Sequence, residues 1–202
     1  AHAEILNIDD SAARQMKGVV DVFHYENVKP ILHTTAGQGF PEPSPYDTTL
    51  FDTKVRFVGD RVAMVAAESR EIAEEAIKHI TVDYKILEPL FDPEKAMNED
   101  APQLHGPDRF TPIGAKYEPG KNLAAEVEIE FGDLKKGERE AEFVLDHTYY
   151  AHYGSHCAQE PHAAISYFDE MGRLVIVCTT QVPFHVRRIV SKVCEFPLSK
   201  IC

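Results

Sequence analysis

Ten of the thirteen prolines fall in two stretches, and those stretches partition what this chain can fold into. Pro30, Pro41, Pro43 and Pro45 lie within residues 27–49, and Pro89, Pro93, Pro102, Pro107, Pro112 and Pro119 lie within residues 88–122. Each proline fixes φ and removes a backbone donor, so neither stretch can hold a central strand. A loop as long as 27–49 inside a compact domain is usually functional or mobile. The second stretch is polar and reads as a boundary, which divides the chain into a unit over residues 1–100, a linker over 101–122 and a second unit over 123–202.

Between the proline-rich stretches the pattern is strongest. Lys54-Val55-Arg56-Phe57-Val58 alternates as a half-buried strand, Gly59-Asp60 is a turn, and the run from Val62 to Ala67 is apolar enough for a strand buried on both faces. Ser69 can cap a helix whose Ile72, Ala73, Ala76, Ile77 and Ile80 share one face. Residues 81–87 return as an alternating strand. Upstream, residues 3–8 and 19–23 read as strands around a short helix over 12–16. In the second unit, residues 124–131 and 142–150 alternate as strands around a weak helix containing Gly137. Residues 163–167 and 173–180 flank a hairpin turn at Asp169-Glu170-Met171-Gly172. Pro183 suits the first turn of a helix, and 198–202 reads as a further strand. The fold class expected is α+β.

The formal charge of −12 argues against nucleic acid or an anionic membrane surface as the main partner. No apolar run approaches the roughly 20 residues of a membrane helix, and no signal peptide opens the chain. Cys157, Cys178, Cys194 and Cys202 crowd the last quarter without a CxxC spacing, which suits reduced thiols in the cytoplasm better than a disulfide scaffold. The chain opens on Ala1 rather than Met and closes on Cys202 in an expected strand, so both ends read as cuts within a longer polypeptide.

Four groups could carry chemistry. His147, His152, His156, Cys157, Glu160 and His162 are zinc-ligand types, but their spacing matches no closed zinc pattern, and polar strand and loop residues is the preferred reading. Gly37-Gln38-Gly39 lacks the strand and helix that flank a dinucleotide loop. Glu126, Glu128, Glu130 and Asp133 read as a solvated strand face and a helix cap. At Thr179-Thr180-Gln181-Val182-Pro183 a strand passes into an amphipathic helix, whose N-terminal N–H groups favour an anionic or oxo-rich ligand. The Gln181 amide can donate and accept there. From physics alone, local backbone satisfaction is the stronger account of that turn. No nucleophile elbow, Walker loop or HExxH motif is present.

Several phrases in order resemble one family. Ala1-His2-Ala3-Glu4-Ile5 is similar to the end of its Ser-Pro-His-Ala-His-Ala opening. Val55-Arg56-Phe57-Val58-Gly59-Asp60-Arg61-Val62-Ala63, then Ala73-Glu74-Glu75-Ala76-Ile77 and Val82-Asp83-Tyr84, resemble its hammerhead domain. Gly132-Asp133, Glu160-Pro161 and Thr180-Gln181-Val182-Pro183 resemble the start of its molybdopterin-binding domain. The family is that of the molybdenum hydroxylase large subunits: xanthine dehydrogenase, aldehyde oxidase and related bacterial hydroxylases, including 4-hydroxybenzoyl-CoA reductase.

The resemblance implies a molybdenum–pyranopterin cofactor, molybdopterin with or without an appended nucleotide. It implies hydroxylation of an N-heterocycle or aldehyde carbon with water. Electrons would leave through iron–sulfur clusters to FAD on partner subunits or domains. It also allows a homodimer of the assembled enzyme. In the family the glutamine of the Thr-Gln turn hydrogen-bonds the cofactor, which makes Gln181 the one cofactor-binding candidate. No catalytic residue and no metal ligand is expected within these residues. The family's Gly-Gly-Phe-Gly loop and its late glutamate base do not occur here, and Glu160 matches a different, earlier position. The chain by itself is therefore not expected to turn over. The alternative is a non-catalytic binding or assembly module built on the hammerhead domain.

Overall fold

The computed structural model describes residues 2–35, 39, 44–110 and 116–202. Its elements run β1 (Ala3–Asp9), α1 (Ser11–Arg14), β2 (Val19–His24), β3 (Lys54–Val55), β4 (Ala63–Ala67), α2 (Arg70–Ile77), β5 (Thr81–Ile86), α3 (Pro93–Ala96), β6 (Lys116–Glu118), β7 (Leu123–Glu126), α4 (Leu134–Glu140), β8 (Ala164–Phe168), β9 (Leu174–Cys178) and α5 (Pro183–Val193). This is the α+β architecture expected.

In the first unit β1 is the centre of an antiparallel sheet in the order β3-β1-β5, with Ala3 opposite both Val55 and Ile86. β2 and β4 form a separate antiparallel pair. Two small cores result. Ala3, Ile5, Ile8 and Val55 form one, and Ala13, Val22 and Ala76 the other; Ile80 packs against both. α2 closes the second core because its apolar stripe recurs at helical spacing. Ser69 Oγ caps it by accepting the Ile72 N–H at 3.4 Å. Gly18 holds φ +88 beside this helix, a conformation that strains any other residue, and a Cβ there would also push the Ile72 Cδ1 methyl, 2.7 Å away, aside.

Several expectations are revised. The strand beginning at Lys54 ends at Val55, because the Arg56 N–H turns to Asp60 Oδ2 at 2.9 Å instead of a ladder. Among the described residues β4 has one neighbouring strand, and Met64 is half-exposed, so β4 is not buried on both faces. β7 stops at Glu126, and residues 142–150 form no strand. The alternation there is real but unpaired: Ile129 is 88% and Phe131 99% exposed. An alternating run needs a ladder and an apolar layer to become a strand, and the described residues supply neither.

The hairpin β8–β9 forms as expected, with Ala164 opposite Cys178 and Gly172 at φ +69 in the turn. After α5 the chain makes a 3-10 turn over Leu198–Lys200. The expected strand is reduced to Ile201 in a parallel bridge with Leu174, and Cys202 N–H donates to Leu174 O at 2.8 Å.

The segment between the units is tied down. Lys54 Nζ donates to Gln103 O at 2.6 Å and Arg56 Nε to Leu104 O at 2.8 Å. Asn122, at φ 53, accepts the Leu104 N–H at 2.8 Å and donates to Ala96 O and Pro102 O at 2.8 and 3.0 Å. Asn122→Ala removes three hydrogen bonds at a left-handed position and should cost about 2–3 kcal/mol in urea unfolding. Asn122→Gly should recover only the backbone share, and wild-type stability in the glycine variant would refute the side-chain role.

Candidate functional site

The turn into α5 is built locally. Thr179 N–H donates to Ala163 O at 3.1 Å, extending the β8–β9 ladder by one step. Thr180 Oγ1 then accepts the Val182 N–H at 3.0 Å, which folds the chain back. Val182 begins the helix without a side-chain cap, Pro183 occupies the first turn, and no acidic residue lies in that turn. Gln181 is exposed at this helix start. The Val182 N–H is taken by Thr180 Oγ1, Pro183 has no N–H and the His185 N–H donates to Val182 O at 3.0 Å, so what suits an oxo- or phosphate-bearing group here is the Gln181 amide at the positive end of the helix dipole, with no carboxylate in the first turn to oppose an anion. A cavity of about 410 Å³ opens beside it, between Cys178, Phe184 and Ile201. Gln181 is not part of its wall.

The other candidates do not converge. His147, His152, His156, Cys157, Glu160 and His162 are all exposed, and among the described residues no three His, Cys, Asp or Glu side chains could hold one metal ion. Asp133 caps α4 by accepting the Lys136 N–H at 2.8 Å, and Glu126 pairs with Lys116 at 2.7 Å. Gly37 and Gln38 lie outside the described residues. All four cysteines are free thiols.

Sequence reasoning missed a polar network under the proline-rich segments. Asp52 Oδ2 accepts from Arg56 Nη1 and Arg109 Nη2, each at 3.0 Å, with the Arg109 side chain only 9% exposed. His105 and Asp47 line a cavity of about 580 Å³ beside it. Burial, with the Asp47 charge, pushes the Tyr117 phenol up to about 12. No local motif announces this network, because Asp52 and Arg109 stand 57 positions apart.

Burial pushes His33 and His105 below the ordinary imidazole value of 6.5, and the Arg56 charge adds to the effect at His105. Both stay neutral in the fold while the unfolded chain gains protons as pH falls through 6.5. Their contribution is thus intact above pH 6.5 and is lost on acidification toward their folded values. The urea midpoint should fall between about pH 7 and pH 5, before the carboxylates titrate. His33→Gln and His105→Gln should flatten that slope, and an unchanged slope would refute the assignment.

Comparison with known proteins bears on both units. Residues 1–88 match the family model of the aldehyde oxidase and xanthine dehydrogenase a/b hammerhead domain, and residues 116–202 match the molybdopterin cofactor-binding domain. The chain is 38% identical, over all of its length and 23% of the relative's, to a probable hypoxanthine oxidase, XdhD, of Escherichia coli K12. It is 33% identical, over 99% of its length and 43% of the relative's, to the nicotinate dehydrogenase large molybdopterin subunit of Eubacterium barkeri. Among solved structures it superposes on reconstituted CO dehydrogenase from Oligotropha carboxidovorans, with a TM-score of 0.74 and 28% identity. That match covers 99% of this chain and 25% of the other. The fold also matches aldehyde oxidoreductase from Desulfovibrio gigas, with a TM-score of 0.75 at 23% identity, over 99% of this chain and 21% of that one.

Proposed function

Because the chain belongs to the molybdenum hydroxylase large-subunit family of xanthine dehydrogenase and aldehyde oxidase, we propose that it forms part of an oxidoreductase subunit that hydroxylates an N-heterocycle or aldehyde carbon using water. In this reading residues 1–100 are the hammerhead domain, 101–122 join it to the second unit, and 123–202 open the cofactor domain. The supporting observation is the exposed Gln181 amide at the start of α5, with no carboxylate in the first turn, within the stretch that matches the molybdopterin domain. Gln181 would hold the molybdenum–pyranopterin cofactor by hydrogen bonds. When bound, that group supplies the two-electron redox chemistry. The amide suits the task because it is neutral: it can donate to an oxo or phosphate oxygen and accept from a ring N–H without adding charge. The rigid β9–α5 turn fixes its backbone, through Thr180 and Pro183.

The chain spans about a quarter of the length of most of the relatives it matches, so the activity belongs to a larger assembly. Iron–sulfur clusters and FAD on partner subunits or domains would carry electrons away, with a small-molecule substrate and the remainder of the large subunit completing the site. Free thiols support a reducing, cytoplasmic setting, and no described helix is long and apolar enough to cross a membrane. The test is metal and pterin analysis of the complete subunit produced with cofactor supply. Stoichiometric molybdenum with bound pterin is expected, and its absence would leave the assembly-module reading in place.

A further inference from the structure

The helix that begins at Gln181 presents a second, polar face that no part of the proposed chemistry uses. His185, Arg188 and Lys192 follow one another at spacings of three and four, which places them on one stripe of α5, and Glu195 follows just past the helix end at φ 51. That stripe meets the proline-rich stretch of the first unit. Lys192 Nζ stands 4.0 Å from the centroid of the Tyr46 ring. Arg188 Nη2 donates to Gly39 O at 3.0 Å. Glu195 pairs with Lys29, and His185 is buried.

Tyr46 is itself anchored. Its N–H donates to Phe110 O at 2.7 Å, and its ring meets the Phe110 ring edge-on at 5.2 Å. Next to Phe110, Arg109 binds Asp52 at 3.0 Å. A continuous set of contacts therefore runs from the hammerhead unit through Asp52, Arg109, Phe110 and Tyr46 to Lys192 on the helix.

We propose that Tyr46 and Lys192 are positioning residues: the proline-rich stretch is a seat for the polar stripe of α5, and it sets where the helix start carrying Gln181 stands relative to the first unit. The proposal rests on the cofactor reading of Gln181 for its consequence, but not for the docking itself. The prolines make sense in this role. Pro30 and Pro45 fix φ next to Lys29 and Tyr46, which lowers the entropic cost of presenting the ammonium and the ring. The ion pair is exposed and contributes little. The cation–π contact and the Gly39 carbonyl carry the specificity.

The complete subunit tests this by hydrogen exchange and molybdenum retention. Lys192→Met removes the charge from an exposed side chain and does not threaten folding. Together with Tyr46→Leu it should speed amide exchange in α5, including His185 and Val186, by roughly two- to fivefold, while β1 and β5 are unchanged. Tyr46→Phe keeps the ring face and should lie closer to wild type than Tyr46→Leu. Molybdenum retained after dialysis should fall most in the first two variants and less in the third. Unchanged α5 exchange, or acceleration shared by β1 and β5, would overturn the docking. Faster α5 exchange with full molybdenum retention would overturn the positioning role. If Gln181→Ala itself retains molybdenum, the cofactor reading fails while the exchange result still judges the seat.

Discussion

Replacing Asp52 with alanine should cost about 2–4 kcal/mol of folding stability, the largest single loss expected in the first unit. The carboxylate joins two guanidiniums, from Arg56 and Arg109, whose side chains are 14% and 9% exposed. Arg56 would keep its carbonyl partners Leu104 and Lys54. Among the described residues Arg109 would keep only Asp108, at 3.4 Å, and its Nε has no partner among them. A nearly buried cation would thus be left almost unpaired, which is the costly way to break an ion pair. Asp52 is itself 22% exposed, so water screens part of the effect and the value sits below that of a fully buried pair. Urea unfolding measures it. Arg109→Met combined with Asp52→Ala should recover part of the loss, because it removes the stranded charge. A loss below about 1 kcal/mol in Asp52→Ala would show that the network behaves as surface ion pairs.

Gln181→Ala in the complete subunit is expected to lower molybdenum content or turnover by roughly 10- to 100-fold, the range for losing a residue that orients a bound metal group. The unfolding midpoint should not move, because Gln181 is exposed and caps nothing. Gln181→Glu should do at least as much harm, since it replaces an amide that can donate with an acceptor-only carboxylate that repels oxygen acceptors. Wild-type molybdenum and turnover in the alanine variant would refute the assignment. A collapse of stability with no specific loss of molybdenum would refute it equally, because the residue would then be structural.

Local patterns made much of the fold legible. The Ser69 cap and the apolar stripe at Ile72, Ala73 and Ala76 specify α2 without outside help. The turn at Asp169–Gly172 and the β-rich runs on either side specify the hairpin, and Pro183 marks the start of α5. Gln181 could be singled out from its place between strand and helix, although physics alone favoured the ordinary reading of that turn. Its weight came from resemblance.

Other features depend on distant partners and were not readable. The pattern at Val62–Ala67 shows apolarity but not how many neighbours the strand will have; among the described residues β4 pairs with β2 alone. Residues 127–131 alternate correctly, yet Val127, Ile129 and Phe131 face solvent, because alternation states a preference for a buried face and cannot supply the layer that buries it. The network around Asp52 and the contact of Lys192 with Tyr46 join residues 57 and 146 positions apart. No local window contains both halves.

By itself, then, the sequence determined the α+β class, α2, the hairpin, the helix after Gln181 and the family, since each depends on residues close together in the chain or on phrases in a fixed order. The tertiary structure alone decided that β1 lies at the centre of its sheet. It also decided that the stretch between the units is strapped to the first of them, and that the proline-rich segment meets the polar face of α5. Those outcomes are set by which distant groups can satisfy one another once the chain closes on itself, and chain order carries no record of that choice.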